Sequence, residues 1–102
     1  MIVDYAPTAG LTLVEAEDLK RFKLRLSGDV ARPEIDGVTF IDDENVLIAT
    51  QLPPSLPGAP TTPEWREGYQ AMVDYAAKKG WIDQASNAIR AHVERLSQRA
   101  AN

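Results

Sequence analysis

Five of the seven prolines fall between Pro53 and Pro63, and Pro54, Pro57, Pro60 and Pro63 recur at every third residue. Three residues make one turn of a polyproline II helix, so 52–63 is expected to form a stiff, extended connector rising about 3.1 Å per residue. That connector divides a strand-rich part, 1–51, from a helical pair, 64–98, inside one domain, 1–102.

Ahead of the connector, Ile2–Ala6 reads as a strand closed by Pro7 and Gly10. Thr12 with Glu15 has the spacing of a capping box. Ala16, Leu19, Phe22 and Leu26 then lie along one stripe, which predicts a helix ending near Gly28. Phe22–Ser27 also alternates with period two, so a strand after about Lys20 is the competing reading. The segments 37–41 and 46–50 are apolar and β-branched, and predict a hairpin across Asp42–Asn45. With Asn45 left-handed in a three-residue loop, Phe40 would oppose Ile48 and Val38 would oppose Thr50.

That hairpin has apolar residues on both faces: Val38, Phe40, Val46 and Ile48 on one, Ile41, Leu47 and Ala49 with Thr39 on the other. A sheet with one wet face should alternate more cleanly. The chain has too few helices to cover both sides, which leads to the expectation of a homo-oligomer.

Behind the connector, Thr62 and Pro63 suit the cap and first position of a helix. Trp65, Tyr69, Met72, Val73 and Ala76 form its apolar stripe, and Gly80 ends it. Asp83 could cap a second helix bearing Ala85, Ala88, Ile89, His92, Val93 and Leu96, with fraying from Ser97 to Asn102. The expected fold is therefore α+β: a small, mainly antiparallel sheet with a central hairpin, one N-terminal helix and a C-terminal αα pair.

The net charge of −4 argues against a general attraction to phosphates, because ten of the 15 acidic residues sit in 1–62. The absence of cysteine excludes disulfides and thiolate chemistry and fits a cytoplasmic setting. No signal-like N-terminus and no membrane-length apolar run is present, so no membrane association is expected.

Candidate chemistry is sparse. His92 is the only histidine and could act as a general base in a cleft, with Tyr69 or Asp74 brought from elsewhere. Its helical neighbours Ala88, Ile89, Arg95 and Leu96 offer neither acid nor hydroxyl, which favours a structural histidine. Asp42-Asp43-Glu44 lacks the alternate spacing and glycine of a calcium loop and reads as a solvated hairpin tip. The P-x-x-P spacing could present a ligand to a recognition domain, but a connector pinned by Leu52 and Leu56 is the simpler account. Ala76 and Gly80 have the spacing of a helix-turn-helix, with Gln84, Ser86, Asn87 and Arg90 on the following helix. Glu94 interrupts the basic face of Arg90, Arg95 and Arg99, so nucleic acid is disfavoured.

Trp65, Trp81, Tyr69 and Phe40 suit a core, with an aromatic ligand pocket as the second reading. The residues that could bind a ligand are thus Trp65, Tyr69 and His92. No cofactor or metal is expected. The function predicted from sequence is a small self-associating interaction or accessory module. The alternatives are a small-molecule binder or enzyme with a cleft near His92, and DNA binding through the last helix.

Overall fold

The computed structural model describes residues 1–7, 10–19, 22–28 and 32–96. In chain order these form β1 (Ile2–Ala6), β2 (Gly10–Val14), β3 (Lys23–Leu26), β4 (Val38–Phe40), β5 (Asn45–Ala49), a single helical turn α1 (Leu52–Ser55), α2 (Pro63–Lys78), β6 (Ile82–Asp83) and β7 (Ala88–Arg95). The seven strands make one curled half-barrel sheet in the order β2-β1-β3-β7-β5-β4, with β6 beside β7. Its centre is parallel, β1 to β3 and β3 to β7, while the other pairings are antiparallel.

This corrects the expected fold. The sheet is mixed rather than mainly antiparallel, and among the described residues there is no N-terminal helix and no second helix after α2 to complete a C-terminal pair. Each failure has the same cause, a period-two pattern that outweighed a helical one. In β7, Ile89, Ala91 and Val93 are buried while Arg90 and His92 are exposed. Alternation of this kind belongs to a strand with one wet face. In the first half, Leu24 and Leu26 are buried between the half-buried Lys23 and Arg25. Glu15, expected to complete a capping box, instead takes a left-handed conformation (φ 49°) as the chain leaves β2. Ser97–Asn102, expected to fray, and Arg99 lie outside the described residues.

The helix α2 forms as the sequence predicts. The Thr62 hydroxyl accepts from the Trp65 N–H at 3.3 Å, and Pro63 occupies the first turn. At the far end Gly80 (φ 77°) allows a Schellman closure, in which Trp81 N–H donates to Ala76 C=O at 2.9 Å and Gly80 N–H to Ala77 C=O at 3.2 Å. The helix lies in the hollow of the sheet, with Trp65 and Tyr69 packed into a core that includes Val3, Leu13, Leu24, Val46, Ile48 and Val93.

The β4–β5 hairpin is present, with Val38, Phe40, Val46 and Ile48 on the core side as expected. Its register differs by two residues: Val38 pairs with Ile48 and Phe40 with Val46. Asn45 is not left-handed. The Asp42 carboxylate instead accepts from the Glu44 N–H at 2.8 Å and the Asn45 amide at 3.1 Å, and Ile41 N–H closes onto Asn45 C=O. The outward side carries exposed Thr39 and Ile41 beside half-buried Leu47 and Ala49, and Leu47 pairs with Arg90.

The proline run is not extended throughout, since Leu52–Ser55 forms a helical turn with proline in its first positions. It crosses the open side of the curled sheet. Leu52 packs beside Gly37, next to β4, and farther on Pro57 C=O accepts from Leu13 N–H of β2 at 2.8 Å. β2 and β4 end the main strand order, so the connector spans from one border of the sheet to the other and pairs with part of the otherwise free edge of β2. At Gly58 (φ 94°) an added β-carbon would stand 2.2 Å from Leu13 C=O, so only glycine allows this approach.

Candidate functional site

The eight residues of β7 exceed what either partner on one of its borders covers. On that border β6 pairs through Ile82–Ile89 and Asp83–Ala88, and β3 begins only at Lys23–His92. Arg90 and Ala91 lie opposite neither strand, although Arg90 N–H donates to Trp81 C=O at 2.9 Å. Phe22 and Trp81, each one residue outside its strand, flank this gap.

Beneath the gap runs a second stripe of α2, Gly68, Ala71, Met72 and Tyr75, adjacent to the core stripe. At Gly68 a β-carbon would lie 2.9 Å from Leu19 Cδ1, so a side chain there would displace the tip of that leucine. The result is a cleft of about 710 Å³, walled by Leu19, Phe22, Met72, Trp81 and Ile89, with Arg90 its only charged lining residue among the described residues. Trp81 and Tyr75 stand at its mouth, 48% and 54% exposed, with rings edge to face at 5.9 Å. Lys79 Nζ lies 5.5 Å from the centre of the Tyr75 ring, within cation–π range.

A second cleft, of about 470 Å³, opens on the other flank of α2 beside Thr50, Gln51, Arg66, Gln70 and Asn87. Trp65 and Tyr69, both picked out by sequence, line it together and stack with centroids 5.4 Å apart. Their polar atoms are engaged. The Trp65 indole donates to Ala16 C=O and the Tyr69 hydroxyl to Thr50 C=O, both at 2.7 Å. Burial raises the pKa of the Tyr69 hydroxyl above its ordinary value, because the phenolate would lose its hydration.

No protein-family model, curated protein or solved structure matches this chain.

His92, the third sequence candidate, is not brought to Trp65 and Tyr69. It points away from the core on β7, with Lys23 and Asn45 as cross-strand neighbours, and lines neither cleft. Around it the outer face is a ladder of charges: Arg25 meets Asp4 at 2.8 Å and Lys23 meets Glu94 at 3.1 Å. The Asp4 hydrogen bond raises the Arg25 pKa further, so that guanidinium stays charged. With Ala88–Arg95 a strand, the helix-turn-helix reading has no second helix. Among the described residues no His, Cys, Asp or Glu cluster could hold a metal ion, and no helix is long and apolar enough to cross a membrane.

Of the larger cleft's residues, the sequence cast Trp81 as core, with an aromatic pocket as the second reading, Met72, Ala76 and Ile89 as apolar helical stripes, Leu19 and Phe22 as the stripe of an N-terminal helix and Arg90 as a DNA contact; it gave no role to Gly68, Ala71 and Tyr75. One signal was available. Gly68, Ala71 and Tyr75 continue the apolar stripe of α2 by three- and four-residue steps, making it wider than one core face requires.

Proposed function

We propose that this protein is a small binding module that holds a compact apolar molecule in the larger cleft, between α2 and the gap separating β3 from β6. The observation that carries the reading is the pair Tyr75 and Trp81, two large aromatics left half-exposed at the mouth of a cavity with apolar walls. Binding clefts of a few hundred cubic ångströms, mostly apolar with few polar groups, are the usual form for small organic ligands. A cysteine-free chain fits a reducing compartment, and a cytoplasmic setting belongs to the same proposal.

The expectation of self-association drew on a hairpin apolar on both sides. In the folded chain its outward side adjoins Arg90 and His92, so the proposal does not use it.

The test uses N-phenyl-1-naphthylamine, a neutral dye that brightens in apolar surroundings. Saturable binding with one site per chain, together with protection of Trp81 from acrylamide quenching, is the expected result. Ala71→Trp, which fills the cleft from an exposed helical position, should abolish both. Dye binding that survives this substitution would place the ligand elsewhere and overturn the reading.

A further inference from the structure

We propose that the molecule bound in the larger cleft is an aromatic compound carrying an N–H or O–H donor, of the indole or phenol class, whose donor meets the main-chain carbonyl of Arg90. This rests on the cleft being a binding site, and adds the class of ligand.

Strand register puts a main-chain group at the cleft. Arg90 pairs with outward Leu47 and lies between buried Ile89 and Ala91, so its side chain takes the outer face and its backbone borders the cleft. In a strand the N–H and C=O of one residue face the same border, and a hydrogen-bonded antiparallel partner exchanges bonds with both. By the register of β6 that partner is Trp81, one step beyond the Ile82–Ile89 pair.

Only half of the exchange is made. Arg90 N–H donates to Trp81 C=O at 2.9 Å, but Trp81 N–H is turned toward the helix end and donates to Ala76 C=O at 2.9 Å. The closure of α2 thus consumes the donor that would have satisfied Arg90 C=O. Pairing with β3 begins farther along, at Lys23–His92. Among the described residues no N–H donates to the Arg90 carbonyl.

This one acceptor faces a gap flanked by Phe22 and Trp81. A ligand that fills the cleft strips the oxygen of water, and a ligand without a donor leaves that loss uncompensated. A ligand with one donor regains the bond. The walls specify the rest of the molecule, since the rings of Phe22, Tyr75 and Trp81 and the Met72 thioether favour an aromatic body over an aliphatic one.

The experiment displaces N-phenyl-1-naphthylamine from the full chain with two rings of nearly one shape, indole and benzofuran, of which only indole has a donor. Benzofuran is the less polar and would compete better if apolar burial alone counted. Indole should instead displace the dye about tenfold more strongly, the gain expected for one hydrogen bond made in place of one lost. By the same reasoning 2-naphthol should exceed 2-fluoronaphthalene. In isotope-labelled chain, the carbonyl carbon resonance of Arg90 should move downfield with indole and not with benzofuran.

Equal displacement by indole and benzofuran, or a preference for benzofuran, overturns the donor inference while the binding module stands. A preference for indole without movement at the Arg90 carbonyl also overturns it, because the donor then meets another group. If the dye fails to protect Trp81 in the parent chain, the binding reading itself falls. Protection of Trp81 that grows with protein concentration without dye would assign the cleft to a second copy and overturn the inference.

Discussion

The indole N–H of Trp65 donates a 2.7 Å hydrogen bond to the carbonyl oxygen of Ala16, 49 residues earlier in the chain. Both residues are buried, and the bond fastens α2 to the turn between β2 and β3. Three residues past Ala16, that turn delivers Leu19 into the larger cleft. One internal contact thus sets the position of the helix that floors the site.

Trp65→Phe should therefore lower stability by about 2–3 kcal/mol, because it removes the bond, leaves Ala16 C=O buried without its partner and opens a small void. Trp81→Phe, at the half-exposed rim, should cost no more than about 1 kcal/mol. Urea unfolding of the two variants makes the comparison, and equal losses would contradict the role given to the bond.

Tyr69 predicts the alkaline behaviour. Its hydroxyl has a folded-state pKa raised above the unfolded value of about 10. A raised pKa means that the stabilisation is fully present below about pH 10 and is lost as pH climbs toward the folded value. Tyr69→Phe should lose about 1 kcal/mol at pH 8, through the bond to Thr50, and show a shallower decline above pH 10. Urea midpoints from pH 8 to 11 would refute this if both proteins decline in parallel.

At Gly58 two penalties coincide, a positive φ and a backbone oxygen 2.2 Å from the position of an added β-carbon. Gly58→Ala should cost about 3 kcal/mol or more, since the connector must leave β2. Gly80 shares the positive φ but has open space around it, so Gly80→Ala should cost only about 1 kcal/mol. Thermal unfolding would rank them, and the reverse order would disprove the closure of β2 by the connector.

The hairpin tip should respond to acid. Asp42 has a pKa below the ordinary carboxyl value because its carboxylate accepts from Glu44 N–H and then from the Asn45 amide. A lowered pKa gives stabilisation that is present above about pH 4 and disappears as pH falls through the folded value. The protection factor of the Glu44 amide, its exchange rate relative to an unstructured amide at the same pH, should fall across that range in the parent chain and be low at every pH in Asp42→Ala. Protection that persists in Asp42→Ala would show that the side chain does not hold the tip.

Segments marked by local chemistry were legible in the sequence. Thr62, Pro63 and Gly80 bound α2 because caps act within a few residues, and the β-branched runs on either side of Asp42–Asn45 define a hairpin wherever they fold. The strand β7 was not legible in the same way. Ala88, Ile89, Ala91 and Val93 satisfy a helical stripe and a period-two face at once, and what decides between them is pairing with Val46 and Leu24, far away in the chain. The capping pair Thr12 and Glu15 was likewise outweighed by pairing between β1 and β2. Trp65 and Tyr69 came together because one helix carries both. The larger cleft was hidden because Leu19, Tyr75 and Arg90 meet only after the sheet has closed.

The position of β7 between β3 and β5 has a consequence for how this protein is made. Before Ala88–Arg95 leaves the ribosome, the nascent chain can form two separate ribbons, β1–β3 and β4–β5, each with an unpaired backbone border awaiting the same missing piece. Assembly is thus a late, long-range event, slow by the standards of locally connected folds, and the interval before it is when the chain most needs protection from its neighbours.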